Sequence, residues 1–200
     1  IFPYKNIFNN LVVSSQDVAN IIQNSKIKAV TLTGSEKAGS EVAMIAGKEI
    51  KRSLLELGGS DPFIVLEDAD LDKCVPKAII SRFLNTGQSC IAAKRFIVDE
   101  SIYDEFIKRI EIEVNKLVVG DPSDINTKIG PLAKEMFVDE LDNQIKRSVD
   151  RGARLICGGK RIDQKGYYYE PTLLVDVDET MDAFKQETFG PVLCVIKSKN

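Results

Sequence analysis

The feature that most constrains the fold is a repeated alternation of short, β-branched or apolar runs with amphipathic stretches. Apolar residues at helical spacing predict helices at 35–53, 70–85, 101–117 and 134–151. A chain in which strands alternate with helices builds a largely parallel α/β sheet. The predicted extended segments are KAVTLTG (28–34), SLLEL (53–57), PFIVLE (62–67), RFIVD (95–99), ARLICGG (153–159), GYYYEPTLLVDV (166–177) and ETFGPVLCVIK (187–197). We expect SLLEL and PFIVLE to be buried strands.

Composition narrows the functional class. The net charge is −3 without a long basic run, which argues against a nucleic-acid partner. No apolar run approaches the roughly 20 residues that span a bilayer, and no secretory leader is visible. The four cysteines are widely spaced, which favours neither a zinc site nor a disulfide scaffold. We therefore expect a cytoplasmic protein with no membrane partner and no metal.

The chain contains no histidine. Ser-His-Asp hydrolases and Cys-His proteases both need an imidazole base, so both classes are excluded for these residues. If a cysteine is the nucleophile, its base must be a carboxylate, a lysine or water.

The segment TGSEKAGS places Gly34 and Ser35 between a predicted strand and a predicted helix. A glycine before a helix N-terminus favours phosphate binding, because the backbone comes close and free N–H groups point outward. The segment is not a P-loop, since Ser40 stands where that motif needs lysine. Taken alone, it is either a phosphate loop or an ordinary turn.

The segment LELGGSDP holds Glu56 between two leucines. If the strand is buried, burial raises the pKa of this carboxyl group toward neutrality, as a general base requires. The alternative is an edge-strand glutamate that faces water. The glycines that follow would let a ligand approach the backbone.

Two further segments carry reactive or ligand-binding groups. NTGQSC ends on Cys90 after a polar, glycine-containing turn, whose free amides could stabilise an oxyanion. ETFGP places Glu187 and Phe189 in a loop, where a carboxylate can accept hydrogen bonds from ribose hydroxyls and an aromatic ring can support a flat ligand. The alternatives are an incidental cysteine and a surface acid before a turn.

Taken together and in this order, TGSEKAGS, LELGGSDP, NTGQSC and ETFGPV resemble the signature segments of the aldehyde dehydrogenase superfamily. The resemblance extends over nearly the whole chain, including GDP and IGPL near 120–132. ELGGSDPFIVLEDADLD and NTGQSCIAAKRFIV look closest to the NAD(P)-dependent succinate-semialdehyde dehydrogenase branch.

The resemblance implies a role for each of these residues. Cys90 matches the nucleophile, and its N–H matches half of an oxyanion hole. Glu56 matches the base that activates water for thioester hydrolysis. The cofactor is NAD or NADP and the partner is a small aldehyde. The expected cofactor-binding residues are Gly34, Ser35, Leu57, Glu187 and Phe189.

The resemblance also implies an α/β three-layer sandwich, with residues 1–56 ending a Rossmann-like cofactor domain and residues 57–200 forming most of the catalytic domain. The family's W-N segment and its adenosine-binding lysine have no match here, so we expect this chain to be a fragment that is inactive alone. The resemblance further implies that the full-length enzyme is a homo-oligomer. A short aldehyde bearing a carboxylate would need a cation, for which Arg82 is the candidate; the alternative is a solvated helix residue.

Two other functions stay open at this point. The first is a non-catalytic fragment that retains the fold or an assembly role. The second is a phosphorylating or CoA-acylating relative, against which Glu56 argues, because a dedicated hydrolytic base has no use there.

Overall fold

The computed structural model describes residues 7–199. The chain divides into two compact units, one ending at Gly58 and the other beginning at Gly59.

The first unit is built on two parallel strands. Its elements are α1 (Val18–Gln23), β1 (Ala29–Thr33), α2 (Glu36–Lys48) and β2 (Arg52–Glu56). The register pairs Ala29 with Arg52 and Thr33 with Glu56, so both strands end at the same edge. Ile22, Val42 and Ala46 form its small core. The six-residue helix α1 was not predicted from the sequence.

The second unit contains a five-stranded sheet with the order β3-β4-β7-β6-β5. All neighbouring strands are parallel except β5, which runs antiparallel to β6. This confirms the predicted α/β class and its largely parallel sheet. The elements are β3 (Asp61–Val65), α3 (Leu71–Phe83), β4 (Ala93–Asp99), α4 (Tyr103–Val114), α5 (Glu135–Asp150), β5 (Arg154–Cys157), β6 (Thr172–Val175), α6 (Asp182–Lys185) and β7 (Val192–Ser198).

Helices cover both faces of this sheet. Leu193 and Val195 of β7 join one core cluster, which includes residues of α3 and α4. Val192 and Cys194 point the opposite way, into a second cluster with residues of α5 and α6. Because successive strand residues face opposite sides, one apolar strand supplies both cores, and the second unit is a three-layer structure.

The prediction of buried strands is wrong for SLLEL and correct only in part for PFIVLE, whose Val65 is buried in the core. Leu54 of β2 and Ile64 of β3 are both exposed. Within residues 7–199, β2 pairs with β1 alone, and β3 is an edge strand of the five-stranded sheet. An apolar run identifies a strand, but its position in the sheet decides which of its side chains are covered.

Two kinds of feature are absent from residues 7–199. No helix in this range is both long and apolar enough to cross a membrane. In the same range, no group of three or more His, Cys, Asp or Glu side chains is arranged to hold a metal ion.

Candidate active site

Four of the predicted site residues lie at the edge of the first unit where β1 and β2 both end. The N–H of Gly34 donates to the carbonyl of Glu56, at 3.0 Å between nitrogen and oxygen. Ser35 caps α2, and its Oγ accepts a hydrogen bond from the N–H of Ala38 at 3.2 Å. Gly34 and Ser35 are exposed beside the N-terminus of this 13-residue helix, whose partial positive charge favours an anion.

Leu57 follows β2 directly and packs on the backbone of α2. A Cβ placed on Gly39 would lie 2.6 Å from the Cδ2 atom of Leu57, so the Leu57 side chain packs directly over this glycine. The role of Leu57 as a cofactor-binding residue remains a prediction.

Glu56, the last residue of β2, is exposed in the described chain. Its geometry is that of an edge-strand glutamate facing water, and the predicted burial between the two leucines is not found. The cause is the same edge position that exposes Leu54. Its role as a base remains a prediction.

The turn before Cys90 has an unusual backbone. Three consecutive residues after α3 have positive φ: Asn85 at 53°, Thr86 at 59° and Gly87 at 73°. This region is easy for glycine and tolerable for asparagine, but strained for a β-branched threonine. Such strain persists only where the surroundings hold it in place.

The segment that begins at Gly130 is hydrogen-bonded to this turn. The N–H of Gly130 donates to Oγ1 of Thr86 at 3.0 Å. The N–H of Ala133 donates to Oε1 of Gln88 at 2.9 Å. Segment 130–133 thus holds the NTGQSC turn through hydrogen bonds, and Cys90 lies exposed at the end of that turn.

Gly59 was predicted to let a ligand approach the backbone, and the structure gives it a different role. A Cβ at this position would lie 3.0 Å from the carbonyl oxygen of Cys90. The space left by the missing side chain is filled by the protein's own turn.

Arg82 was predicted either to bind a substrate carboxylate or to be a solvated helix residue, and both predictions are wrong. Its side chain is fully buried. It donates to the carbonyl oxygens of Ala93 at 3.4 Å, of Thr188 at 2.7 Å, and of Gly190. Burial lowers the pKa of Arg82 to about 10, so the guanidinium stays charged at neutral pH. The two terminal nitrogens of the guanidinium donate to backbone oxygens, so Arg82 stabilises the surrounding backbone.

Lys94 is a second buried cation, which sequence reasoning missed. It lies on β4, and its Nζ is 3.0 Å from the carbonyl oxygen of Cys90 and 3.1 Å from Oε1 of Glu187. One ammonium therefore joins the turn of the predicted nucleophile to the predicted ribose ligand. A lysine inside the run CIAAKRFIV was the available signal, since a charged residue in a buried strand needs partners.

The loop that carries Glu187 is held from α5 as well. Nε2 of Gln144 donates to the backbone carbonyl of Glu187 at 3.3 Å. Phe189 packs edge-on against Phe137, with ring centroids 6.5 Å apart. These residues line a small cavity beside the Glu187 carboxylate. The second unit thus brings Cys90 and Glu187 together through Lys94 and places Phe189 in the same loop.

Comparison with known proteins identifies the family. A sequence model described as "Aldehyde dehydrogenase family" matches residues 4–200. The chain belongs to the aldehyde dehydrogenase family. This confirms the resemblance carried by the four sequence segments.

The relatives of this chain include two succinate-semialdehyde dehydrogenases and a lactaldehyde dehydrogenase. A protein named succinate-semialdehyde dehydrogenase [NADP(+)] 1, from Mycobacterium bovis (strain BCG / Pasteur 1173P2), is 48% identical over 193 residues; these are 96% of this chain but only 42% of the relative. The crystal structure of succinate-semialdehyde dehydrogenase from Burkholderia pseudomallei matches with a TM-score of 0.91 and 35% identity, covering 95% of this chain and 40% of that one. Lactaldehyde dehydrogenase from Escherichia coli matches with a TM-score of 0.88 and 39% identity, covering 92% and 39%.

The four free thiols differ in environment, which gives a first prediction. Burial raises the pKa of Cys74, Cys157 and Cys194, that of Cys194 to about 12, so these thiols are protonated at neutral pH. Cys90 is exposed. We expect brief treatment with iodoacetamide at pH 7.5 to label Cys90 first, as peptide mass spectrometry would show. Labelling of Cys74 or Cys194 at the same rate would contradict the assignment of the nucleophile.

Proposed function

We propose that the full-length protein oxidises a short aldehyde to the carboxylic acid, with NAD or NADP as the hydride acceptor. Succinic semialdehyde is the expected substrate, because the relative from M. bovis carries that name at 48% identity. The observation that carries the proposal is the exposed Cys90 on a strained turn that hydrogen bonds hold in place. Lys94 contacts both this turn and the Glu187 carboxylate. The two compact units support assigning residues 1–56 to the cofactor domain and residues 57–200 to the catalytic domain.

The residues present fit a nicotinamide dinucleotide. In the first unit, the exposed Ser35 at the N-terminus of α2 suits a pyrophosphate. In the second, the Glu187 carboxylate has its Oε1 against Lys94, and its side chain remains 26% exposed. A carboxylate held in this way can accept hydrogen bonds from ribose hydroxyls. When bound, the cofactor supplies the acceptor for the hydride that leaves the substrate carbon.

The protein's own groups carry the other steps. The Cys90 thiolate adds to the aldehyde carbon, which forms a C–S bond and moves an electron pair onto the carbonyl oxygen. The backbone N–H of Cys90 donates to that oxygen. Loss of hydride leaves a thioester on Cys90. Glu56 takes a proton from water, the resulting hydroxide attacks the thioester carbon, and the C–S bond breaks to release the acid and regenerate the thiolate.

The test is turnover by the full-length protein. Purified protein is mixed with NADP or NAD and either succinic semialdehyde or butyraldehyde, and reduced nucleotide is followed by absorbance. We expect a higher kcat/KM for succinic semialdehyde. A preference for butyraldehyde would contradict the substrate, and no aldehyde-dependent reduction with either nucleotide would contradict the function.

Replacing the predicted base separates the two halves of the reaction. The Glu56→Gln variant of the full-length protein keeps the thiol but loses the group that activates water. We expect a stopped-flow burst of reduced nucleotide followed by slow turnover, since hydrolysis of the thioester is impaired more than hydride transfer. Loss of the burst itself, with nucleotide binding intact, would place Glu56 in an earlier step.

A further inference from the structure

The ammonium of Lys94 is surrounded by oxygen atoms. Its side chain is fully buried, and its Nζ lies 2.8 Å from the carbonyl oxygen of Ser89, 3.0 Å from that of Cys90 and 3.3 Å from that of Ala92. An ammonium has three N–H donors, and the three carbonyls can accept all of them, so the contact with Oε1 of Glu187 is a charge pair rather than a well-formed hydrogen bond. Lys94 therefore fixes the backbone on both sides of the Cys90 thiol.

The negative charge nearest to this cation is Glu187. Its Oε1 is 3.1 Å from Nζ of Lys94, although the two residues are 93 positions apart in the chain. Burial lowers the pKa of Lys94, and the Glu187 carboxylate opposes that shift. A buried ion pair adds little stability compared with apolar residues of similar size, so stability alone does not account for a charged pair here.

Arg82 provides a useful contrast. It is equally buried and cationic, but its hydrogen bonds go to the carbonyls of Ala93, Thr188 and Gly190. It braces the backbone of the loop around Glu187. Lys94 is the cation that reaches both the Cys90 carbonyl and the Glu187 carboxylate.

We propose that Lys94 is a positioning residue that couples nicotinamide-ribose binding at Glu187 to presentation of the Cys90 thiol. The inference rests on the proposed function, in which Glu187 holds the ribose and Cys90 attacks the aldehyde. The charge of Lys94 attracts one oxygen of the carboxylate, and the same ammonium donates hydrogen bonds to the turn of the nucleophile. Removing the Lys94 ammonium takes away the contact with the Glu187 carboxylate and the contacts with the Cys90 turn. Removing the Glu187 carboxylate affects the ribose site alone.

The test is a double-mutant cycle in the full-length enzyme. The variants are Lys94→Met, Glu187→Gln and their combination. Lys197→Met is the matched control, because Lys197 is exposed on the adjacent strand β7. The readouts are the dissociation constant of NADPH, measured by fluorescence, the single-turnover rate of hydride transfer, and the midpoint of thermal unfolding.

We expect Lys94→Met and Glu187→Gln each to weaken NADPH binding on the order of 10-fold, and the double variant to bind about as weakly as either one, since contacting residues couple strongly. Lys94→Met should also slow hydride transfer more than Glu187→Gln does. A Lys94→Met variant that unfolds earlier but matches Lys197→Met in both other readouts would show that Lys94 is merely structural. Additive effects in the double variant would also overturn the proposal.

If Lys94→Met does not fold, Lys94→Arg replaces it. Arginine keeps the positive charge, so Glu187→Gln should weaken NADPH binding in that background as much as in the wild type. A much smaller effect there would contradict the charge pairing. A wild-type enzyme that reduces neither nucleotide in the presence of aldehyde would contradict the proposed function and this inference together, whereas the other contrary outcomes affect the inference alone.

Discussion

The Cys90→Ala variant of the full-length protein is expected to lose nearly all aldehyde oxidation, with kcat reduced on the order of 10⁶-fold, as when a covalent nucleophile is removed elsewhere. The reason is that the thiohemiacetal and the thioester both need the Sγ atom. The side chain is exposed, so the change leaves no cavity in a core and the unfolding midpoint should stay close to that of the wild type. Steady-state turnover and thermal unfolding together check this.

Cys74→Ala is the matched control for this variant. Cys74 is a half-buried residue of α3 and packs against the larger core cluster. Its loss should lower stability modestly and leave kcat essentially unchanged. Comparable turnover by the Cys90→Ala variant and the wild type would remove Cys90 from the chemistry.

The Gly87→Ala variant is expected to show a large effect on both stability and activity. A Cβ at this position would lie 2.2 Å from the carbonyl oxygen of Gly190 and 3.0 Å from Nη2 of Arg82. The residue also has φ of +73°, which an alanine adopts only with strain. Together the steric and conformational penalties amount to about 2–5 kcal/mol.

The same substitution should disturb catalysis beyond its effect on stability. Gly87 stands three residues before Cys90, so a shift of the turn displaces the thiol, and a displacement of about 1 Å can lower a rate on the order of 10²-fold. Gly47→Ala, in α2, is the control, because an added Cβ there meets no described atom within 4 Å. It should stabilise the helix by about 0.5–1 kcal/mol. Equal unfolding free energies for the two alanine variants in urea would contradict the predicted clash.

Local sequence signals were sufficient for most of the secondary structure. The apolar spacing of residues 70–85, 101–117 and 134–151 gave α3, α4 and α5 to within a few residues, since each helix buries one face. The cap at Ser35 was also predictable, because a side-chain oxygen before an apolar helix satisfies a free N–H group. These features depend on neighbours within one or two turns of chain.

The partners of the buried cations could not be found in this way. The carbonyls that receive Arg82 belong in part to Thr188 and Gly190, more than 100 residues further along the chain. A helical position with a basic residue looks the same in sequence whether it faces water or a distant loop. The exposure of Leu54 and Ile64 was missed for a related reason, since strand order decides which strands lie at an edge.

The candidate site was likewise predictable only in part. The segments NTGQSC and ETFGP marked Cys90 and Glu187 as reactive or ligand-binding groups, because their residue types carry that chemistry. The ammonium of Lys94 lies between them, 3.0 Å from the carbonyl oxygen of Cys90 and 3.1 Å from Oε1 of Glu187. This arrangement became visible only in three dimensions.

The central claim is that Cys90 forms the covalent intermediate of aldehyde oxidation. The most direct measurement uses the full-length Glu56→Gln variant, in which the thioester should accumulate. The variant is mixed with succinic semialdehyde and NADP, quenched in acid within one turnover, digested, and analysed by peptide mass spectrometry. The account predicts a succinyl mass increase on the peptide that contains Cys90, and on that peptide alone. Acid product formed without any acylated Cys90 peptide, or with the succinyl group on another cysteine, would contradict it.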